Sequence, residues 1–339
     1  MLICHRICQG VTCTTAGVMI GLGTASAIAH ADDELIPLTF GTNWYAQAEH
    51  GGFYQAVAKG IYEEYGLDVT IEQGGPQVNN LQLLLAGNQD FTVGYPIRAI
   101  KAREEGAPVV TVAAAYQADP QGFISHSHFT SMEEIAEQAQ VMISSAGDAT
   151  FWPWLKAEFG FSDERKQPYT YSLAPFFANE DIVPQTYATS EPYEAEQEGV
   201  DFNVFVFADY GFPPYANTIE TTENMIDENP EVVRAFVEAS MKGWQSYLDN
   251  PEPGNALIQK FNPEMSDGQI EYSYTALKEH EFIAGGDATE QGIGFMTDQR
   301  WEETYRFLAD EGLIEPDVNW EFAYTLQFLP TEPLLPAGQ

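Results

Sequence analysis

Cysteine is nearly absent from this chain of 339 residues, and the three that occur lie close to the N terminus: Cys4, Cys8 and Cys13. A long apolar run is also missing, because residues 16–29 fall short of the ~20 residues that span a bilayer. Ala29-His30-Ala31 then follows and is typical of a signal-peptide cleavage site. We therefore predict a cleaved signal peptide at residues 1–31. The mature chain then has no cysteine, which excludes disulfides, thiolate catalysis and cysteine-bound zinc.

Basic residues are scarce as well. The 14 Lys and Arg residues stand against 51 Asp and Glu residues, which gives a formal net charge of −37. Such a field repels nucleic acid and anionic membrane surfaces. It fits a solvated acidic coat suited to a salty exterior, or alternatively an acidic face for a basic partner. Because 44% of the residues are hydrophobic and 13% are aromatic, we expect a folded protein.

Strand and helix patterns alternate between residues 35 and 116. The predicted strands are 35–40, 67–73, 90–95 and 107–116, and the predicted helices are 53–65, 78–89 and 96–106. Strands separated by helices at this spacing pair side by side in the same direction. The sequence therefore predicts an α/β fold with a mostly parallel sheet.

A second unit is indicated after Tyr116. Its predicted elements are a helix from the Ser131 cap to residue 138, strands at 141–147 and 200–211, a helix at 152–161, and shorter pieces at 169–174 and 183–191. A long amphipathic helix at 222–251 and further helices to about residue 313 follow. Crossings near 116–120 and 206–216 predict two lobes. Lobe I comprises residues 32–117 and 216–339, and lobe II comprises residues 118–215.

The loops at the carboxyl ends of the strands are where an open α/β sheet binds its ligand. They carry Asn43, Trp44, His50, Tyr95, Tyr116, Gln117, Ser144, Ser145, Gly147, Asp148, Tyr187, Glu191, Asp209 and Tyr210. Aromatic faces stack on flat rings, and amides and carboxylates bind ring edges. This set, nearly free of positive charge, predicts a site for a small uncharged aromatic ligand.

Each candidate also has a structural explanation. Trp44 can cover the end of the sheet, and His50 can cap the helix that it precedes. Tyr95 and Tyr116 can be packing residues, and Glu191 can lie in a surface turn. His126 and His128 lack a third metal ligand nearby, and Ser145 lacks a nucleophile-elbow motif. No phosphate-binding glycine motif occurs. We predict no catalytic residue, no metal and no cofactor.

The segment from Asn43 to Val69 resembles the opening signature of the NMT1/THI5-like periplasmic substrate-binding proteins, the exported receptors of ABC importers. The matched positions are Asn43, Trp44, His50, Lys59, Gly60, Ile61, Tyr62, Gly66, Leu67, Asp68 and Val69, followed by Ala86, Gly87, Asp90 and Gly94. The resemblance extends from about residue 36 to residue 313. It implies the type II periplasmic-binding fold, in which two α/β lobes joined by two hinge crossings close on a ligand. It also implies a permease in the inner membrane as partner, and we expect a monomer.

The resemblance implies several ligand classes: thiamine pyrimidine precursors such as formylaminopyrimidine and hydroxymethylpyrimidine, riboflavin, alkanesulfonates, taurine and nitrate. The Asn-Trp pair is most similar to the pyrimidine-binding branch, where an amide binds the ring edge, aromatic residues stack on it and a glutamate binds its amine. These roles fall on Asn43, Trp44, Tyr187 and Glu191. An anionic ligand would need basic residues, and only Arg98 lies near a strand-end loop.

The same family contains an enzyme, the thiamine-pyrimidine synthase, which uses pyridoxal phosphate, iron and its own histidine. Its lysine corresponds to Tyr95 in this sequence and its histidine to Ala99. Its cysteine-rich segment corresponds to residues 209–217, which contain no cysteine. Because Tyr95 cannot form a Schiff base, we predict a binding protein rather than an enzyme.

Overall fold

The computed structural model describes residues 34–337. The predicted signal peptide at residues 1–31 lies outside these residues. The strands are β1 (Ile36–Gly41), β2 (Leu67–Glu72), β3 (Phe91–Gly94), β4 (Val109–Tyr116), β5 (Gln121–His126), β6 (Gln140–Ile143), β7 (Lys166–Pro168), β8 (Ile182–Tyr187), β9 (Phe202–Val206) and β10 (Ala216–Thr222).

The α-helices vary from single turns to one helix of 20 residues. They are α1 (Gly51–Ala58), α2 (Ile61–Glu64), α3 (Asn80–Leu85), α4 (Pro96–Glu104), α5 (Met132–Gln138), α6 (Ser145–Asp148), α7 (Trp152–Phe159), α8 (Ala174–Ala178), α9 (Glu191–Gln197), α10 (Glu223–Glu228), α11 (Pro230–Asp249), α12 (Glu252–Phe261), α13 (Asp267–Glu279), α14 (Ala288–Gln291) and α15 (Asp298–Asp310). Short 3-10 turns occupy Ala48–His50, Asp163–Arg165, Phe207–Tyr210 and Trp320–Ala323.

The first sheet has the strand order β2-β1-β3-β10-β4. β1 pairs in parallel with β2 and β3, as the alternating pattern predicts, whereas β10 runs antiparallel to β3 and β4. Every residue of β4 is buried, and the C-terminal part of the chain covers its outer edge through bridges at Thr111 and Ala114. This cover protects an edge that would otherwise expose unpaired backbone groups.

The second sheet has the order β7-β6-β8-β5-β9. β6 is parallel to β7 and β8, and β5 runs antiparallel to β8 and β9. Two α/β units with mixed sheets confirm the predicted fold class. The chain changes sheets between Tyr116 and Gln121 and again between Val206 and Ala216. The exact lobe boundaries stay predictions: lobe I denotes residues 32–117 and 216–339, and lobe II denotes residues 118–215.

Several predicted elements were wrong in detail. The helix predicted at 53–65 is divided by Gly60, whose left-handed backbone (φ 69°) ends one helix and starts the next. The helix predicted at 222–251 is interrupted at Asn229, because Pro230 starts a new helix. The strand predicted at 200–211 ends at Val206 in a 3-10 turn. Strands β5 and β10 were missed; each begins where a predicted crossing ends.

One helix contact holds the first site loop in place. α11 packs its apolar face on α1, where Gly52 and Gly243 allow the two backbones to approach closely. A Cβ atom on Gly243 would lie 2.3 Å from the carbonyl oxygen of Gly52. α1 begins directly after the loop that carries Asn43 and Trp44, so this contact fixes one end of that loop. None of the helices in residues 34–337 is both long enough and apolar enough to span a membrane.

Candidate ligand-binding site

The loop after β1 is held by its own hydrogen bonds. Thr42 Oγ1 donates to the carbonyl oxygen of Trp44 at 2.7 Å, and Asn80 Nδ2 donates to the carbonyl oxygen of Thr42 at 2.6 Å. Gln73 Oε1 accepts from the amide of Ala46 at 2.7 Å. Because its backbone groups are satisfied in this way, the loop can lie against the protein instead of extending into solvent.

A chain of amides orients Asn43. Asn43 Nδ2 donates to Asn217 Oδ1 at 3.1 Å, so its oxygen faces His50 Nε2 at 2.7 Å. Burial lowers the pKa of His50 to about 3, so the ring is neutral and donates from Nε2. Asn217 has a positive φ of 43°, a conformation that asparagine tolerates better than most residues. The amide predicted to bind a ligand edge is therefore already fixed by two protein partners.

Glu49, which is not among the predicted site residues, makes a contact between the lobes. Thr189 Oγ1 of lobe II donates to Glu49 Oε1 of lobe I at 2.5 Å, and Ser273 Oγ of lobe I donates to the carbonyl oxygen of Thr189 at 2.6 Å. Burial raises the pKa of Glu49 to about 7. Tyr116 donates to the carbonyl oxygen of Glu49 at 3.0 Å. Thr189, in the loop after β8, is thus hydrogen-bonded to two different residues of lobe I.

The hydroxyl groups of two predicted residues also meet between the lobes. Tyr95 Oη of lobe I and Tyr187 Oη of lobe II lie 3.2 Å apart. Burial raises the pKa of both phenols, so both remain neutral. The backbone amide of Tyr95 donates to Glu220 Oε1 at 3.1 Å, and burial raises the pKa of that carboxyl group to about 8.

Glu191 and Trp44 are linked by two further aromatic residues. The rings of Trp44 and Tyr171 lie 4.9 Å apart across the lobes, and Tyr171 lies 5.4 Å from Tyr169. Tyr169 donates to Glu191 Oε1 at 3.2 Å, and the amide of Tyr187 donates to Glu191 Oε2 at 2.8 Å. Burial raises the pKa of Glu191. Tyr169 and Tyr171 lie in the predicted short piece at 169–174, and their spacing of two residues, which places both side chains on one side of an extended segment, was the available sequence signal.

The structure does not bring every candidate into this cluster. Ser145 is exposed at the start of α6, and Ser144 caps that short helix through the amide of Gly147 at 3.1 Å. Asp209 is exposed, and Tyr210 packs on Phe159 at 6.0 Å within lobe II. Neither residue contacts lobe I among the described contacts. Ser145, Asp209 and Tyr210 therefore remain unsupported candidates.

The cleft is closed in this structure. A cavity of about 20 Å³, room for about one water molecule, remains at its base between the two crossings. Because Trp44 contacts Tyr171 and Tyr95 contacts Tyr187 across the lobes, a ring can lie between the residues of these pairs when the lobes move apart. A larger cavity of about 270 Å³ lies elsewhere in lobe I, between α11, α13 and the C-terminal segment, and contains none of the predicted residues.

The charges of the cleft are mainly acidic. Arg98, on α4, lies over the ring of Tyr95 at 5.8 Å and lines the small cavity. The carboxyl groups of this region are the buried Glu49, Asp119 and Glu220 and the partly buried Glu191. Within residues 34–337, no group of three or more His, Cys, Asp or Glu side chains is arranged to hold a metal ion. His126 instead contacts the carbonyl oxygen of Phe176 at 2.9 Å.

The two sheets, the two crossings and the strand-end loops that meet between them define a two-lobed protein of the periplasmic-binding fold. The solved structure of the periplasmic aliphatic sulphonate binding protein SsuA from Escherichia coli shares this fold. It matches with a TM-score of 0.64 over 89% of this chain and 97% of that one, at 13% identity. The chain belongs to the family described as NMT1/THI5 like, whose family model matches residues 47–253.

Three relatives match over most of the chain. A riboflavin-binding protein from Chloroflexus aurantiacus is 28% identical and covers 91% of this chain and 90% of its own. A formylaminopyrimidine-binding protein from Halalkalibacterium halodurans is 25% identical over 88% of this chain and 92% of its own. A 4-amino-5-hydroxymethyl-2-methylpyrimidine phosphate synthase from Legionella pneumophila is 20% identical over 86% of this chain and 92% of its own. Two of these relatives are binding proteins and one is an enzyme.

Proposed function

We propose that this protein is the exported solute receptor of an ABC importer and binds a thiamine pyrimidine precursor, such as formylaminopyrimidine or hydroxymethylpyrimidine. The lobes open to admit the ligand, close on it, and present the closed form to a permease in the inner membrane. The protein acts in the periplasm as a monomer after removal of its signal peptide.

One observation carries this proposal. The rings of Trp44 and Tyr171 lie in contact from different lobes at 4.9 Å, and Tyr169, which packs on Tyr171, donates a hydrogen bond to the carboxyl group of Glu191. When the lobes part, these two rings provide faces for a flat heterocycle, and a carboxyl group can accept hydrogen bonds from its amine. Binding energy from both lobes then favours the closed form.

Riboflavin is the second candidate, and the 28% identity to a riboflavin-binding protein favours it. Its three-ring system also stacks on aromatic residues, but it needs a longer slot than a pyrimidine. Sulfonates and nitrate fit the cleft less well, because Arg98 is the one basic residue among those that line the small cavity, and Asp119 beside it repels an anion when it is ionised.

Catalysis of the synthase type receives no support from the residues of the cleft. By the family resemblance, Tyr95 corresponds to the synthase lysine, and its hydroxyl group lies 3.2 Å from that of Tyr187. Ala99 is a buried residue of α4 and carries no imidazole. The protein therefore binds and releases its ligand unchanged. A visible absorbance band from pyridoxal phosphate in purified protein would contradict this assignment.

The test is a thermal-shift screen of the mature protein with formylaminopyrimidine, hydroxymethylpyrimidine, riboflavin, taurine and nitrate. A true ligand at a hundred times its dissociation constant stabilises the folded protein by ~2.7 kcal/mol. We expect a pyrimidine to give the largest shift, and isothermal calorimetry then gives its affinity. Stabilisation by taurine or nitrate alone would contradict the proposal, and stabilisation by riboflavin alone would favour the second candidate.

A further inference from the structure

Asp119 is a buried carboxyl group on the first crossing. It is only 3% exposed, and burial raises its pKa to about 7. Its Oδ1 atom accepts a hydrogen bond from the amide of Gln121 at 3.0 Å, which fixes the turn before β5. Its Oδ2 atom makes no hydrogen bond with any of residues 34–337. The turn therefore uses only one of the two oxygens.

The surroundings of Asp119 belong to both lobes. It lines the cavity of about 20 Å³ together with Tyr95 and Arg98 from lobe I and Thr150 from lobe II. Phe212 and Pro214 of the second crossing close the same cavity. The free oxygen thus lies at the base of the cleft, where the two crossings and the two lobes meet.

Arg98 does not neutralise this carboxyl group. No ion pair joins the two side chains within 4.0 Å among the described residues, although both line the cavity. Because Oδ2 is not among the fully enclosed atoms that lack a partner, it has access to the small cavity, which has room for about one water molecule. A turn of this kind needs only the single acceptor oxygen that asparagine also supplies. A ligand that brings an N–H group to this point would satisfy the oxygen that the protein leaves free.

We propose that Asp119 is a specificity-determining residue that accepts a hydrogen bond from an N–H group of the bound heterocycle through Oδ2. The inference rests on the proposed function, because it requires a ring ligand in the cleft. The role of Asp119 would then decide which heterocycles the receptor binds. A ligand that lacks an N–H donor at this end, or that carries an anionic group there, leaves Asp119 unsatisfied and is rejected.

The test combines a variant with a change in the ligand. Asp119→Asn keeps the turn oxygen and replaces the acceptor that faces the cavity with an amide donor. The probes are formylaminopyrimidine and riboflavin, each compared with a derivative in which its amide or imide N–H is methylated. We expect Asp119→Asn to weaken binding of the unmodified probe about 10- to 100-fold. Methylation should weaken binding to the wild-type protein at least about fivefold more than binding to the variant.

Asp181→Asn, an exposed carboxylate in lobe II, is the matched control and should bind each probe as the wild type does. Thermal denaturation without ligand shows whether Asp119→Asn keeps the fold. Equal affinity of Asp119→Asn and wild type, or an equal methylation penalty in both, would overturn the role of Asp119 while leaving the receptor function intact. Failure of the wild-type protein to bind either unmodified probe would instead remove the proposed function and this inference with it.

Discussion

Thr189 of lobe II donates a hydrogen bond of 2.5 Å to Glu49 of lobe I, and 140 residues of chain separate the two. The same threonine also offers its carbonyl oxygen to Ser273 on α13 at 2.6 Å. Both contacts exist only when the lobes are together. The hydrogen bond between Thr189 and Glu49 therefore stabilises the closed form independently of any contact with a ligand.

Replacing Thr189 with valine keeps the shape of the side chain and removes its hydroxyl group. Glu49 then loses its donor while it remains buried, which should lower the free energy of unfolding by about 1–3 kcal/mol. Loss of this hydrogen bond also destabilises the closed form relative to the open form, so ligand affinity should fall as well. Chemical denaturation and calorimetry measure the two effects. The exposed Thr331→Val should change neither, and an unchanged affinity in Thr189→Val would show that the contact does not contribute to closure.

Trp44→Ala should weaken ligand binding by tenfold or more and leave the fold intact. Its ring is only partly buried and packs on Tyr171 and Tyr45, at the entrance of the cleft. Loss of a stacking face removes both buried area and ring-on-ring contact. Trp320→Ala is the matched control, because Trp320 is also partly buried and stacks on Tyr305 at 5.4 Å in lobe I. Equal affinity of Trp44→Ala and wild type would remove Trp44 from the site.

Glu191 calls for two variants, because it also accepts the amide of Tyr187. Glu191→Ala should weaken binding and also lower stability, since the donors around Glu191 lose their acceptor. Glu191→Gln keeps one acceptor oxygen, so it should fold as the wild type does and still bind an aminopyrimidine about tenfold more weakly. Calorimetry and thermal denaturation separate these results. Glu194→Gln, on the same helix and exposed, is the control, and wild-type affinity in Glu191→Gln would argue for a purely structural role.

Glu220 predicts a specific pH dependence of stability. Burial raises its pKa from 4.5 to about 8 in the folded protein, so the folded state holds a proton that the unfolded state has lost. The stability contributed by this group is therefore complete below about pH 4.5 and declines as the pH rises to about 8. Glu220→Gln still accepts from Tyr95 and carries no charge. It should be more stable than the wild type at pH 8 by on the order of 2 kcal/mol or more.

Urea denaturation of Glu220→Gln and wild type between pH 4 and pH 9 tests this dependence. The difference in unfolding free energy should vanish near pH 4 and grow with pH. The exposed Glu311→Gln should show no such growth. A constant difference across the range would mean that Glu220 is ionised in the folded protein.

Much of the fold follows from local patterns. The alternation of β2, with Leu67, Val69 and Ile71 buried between exposed neighbours, is visible as a period of two in the sequence. The predicted cap Ser131 accepts from the backbone amide of Glu134 on its helix. β5 and β10 were missed because both strands are buried almost throughout, so no alternation of apolar and polar residues marks them in the sequence.

The sequence by itself determined the family and the α/β class, because the segment from Asn43 to Val69 is a continuous motif, and it predicted one side of the candidate cleft. It did not indicate that Glu49, Asn217 and Thr189 meet, or that Tyr171 faces Trp44. Those relationships join residues that lie far apart in the chain, and short-range hydrophobic spacing carries no record of them. The folding of lobe II against lobe I brings Thr189 to Glu49 and Tyr171 to Trp44, and the tertiary fold of lobe I itself brings Asn217 to Glu49. That packing also decides which buried carboxyl groups hold a proton, because it removes them from water.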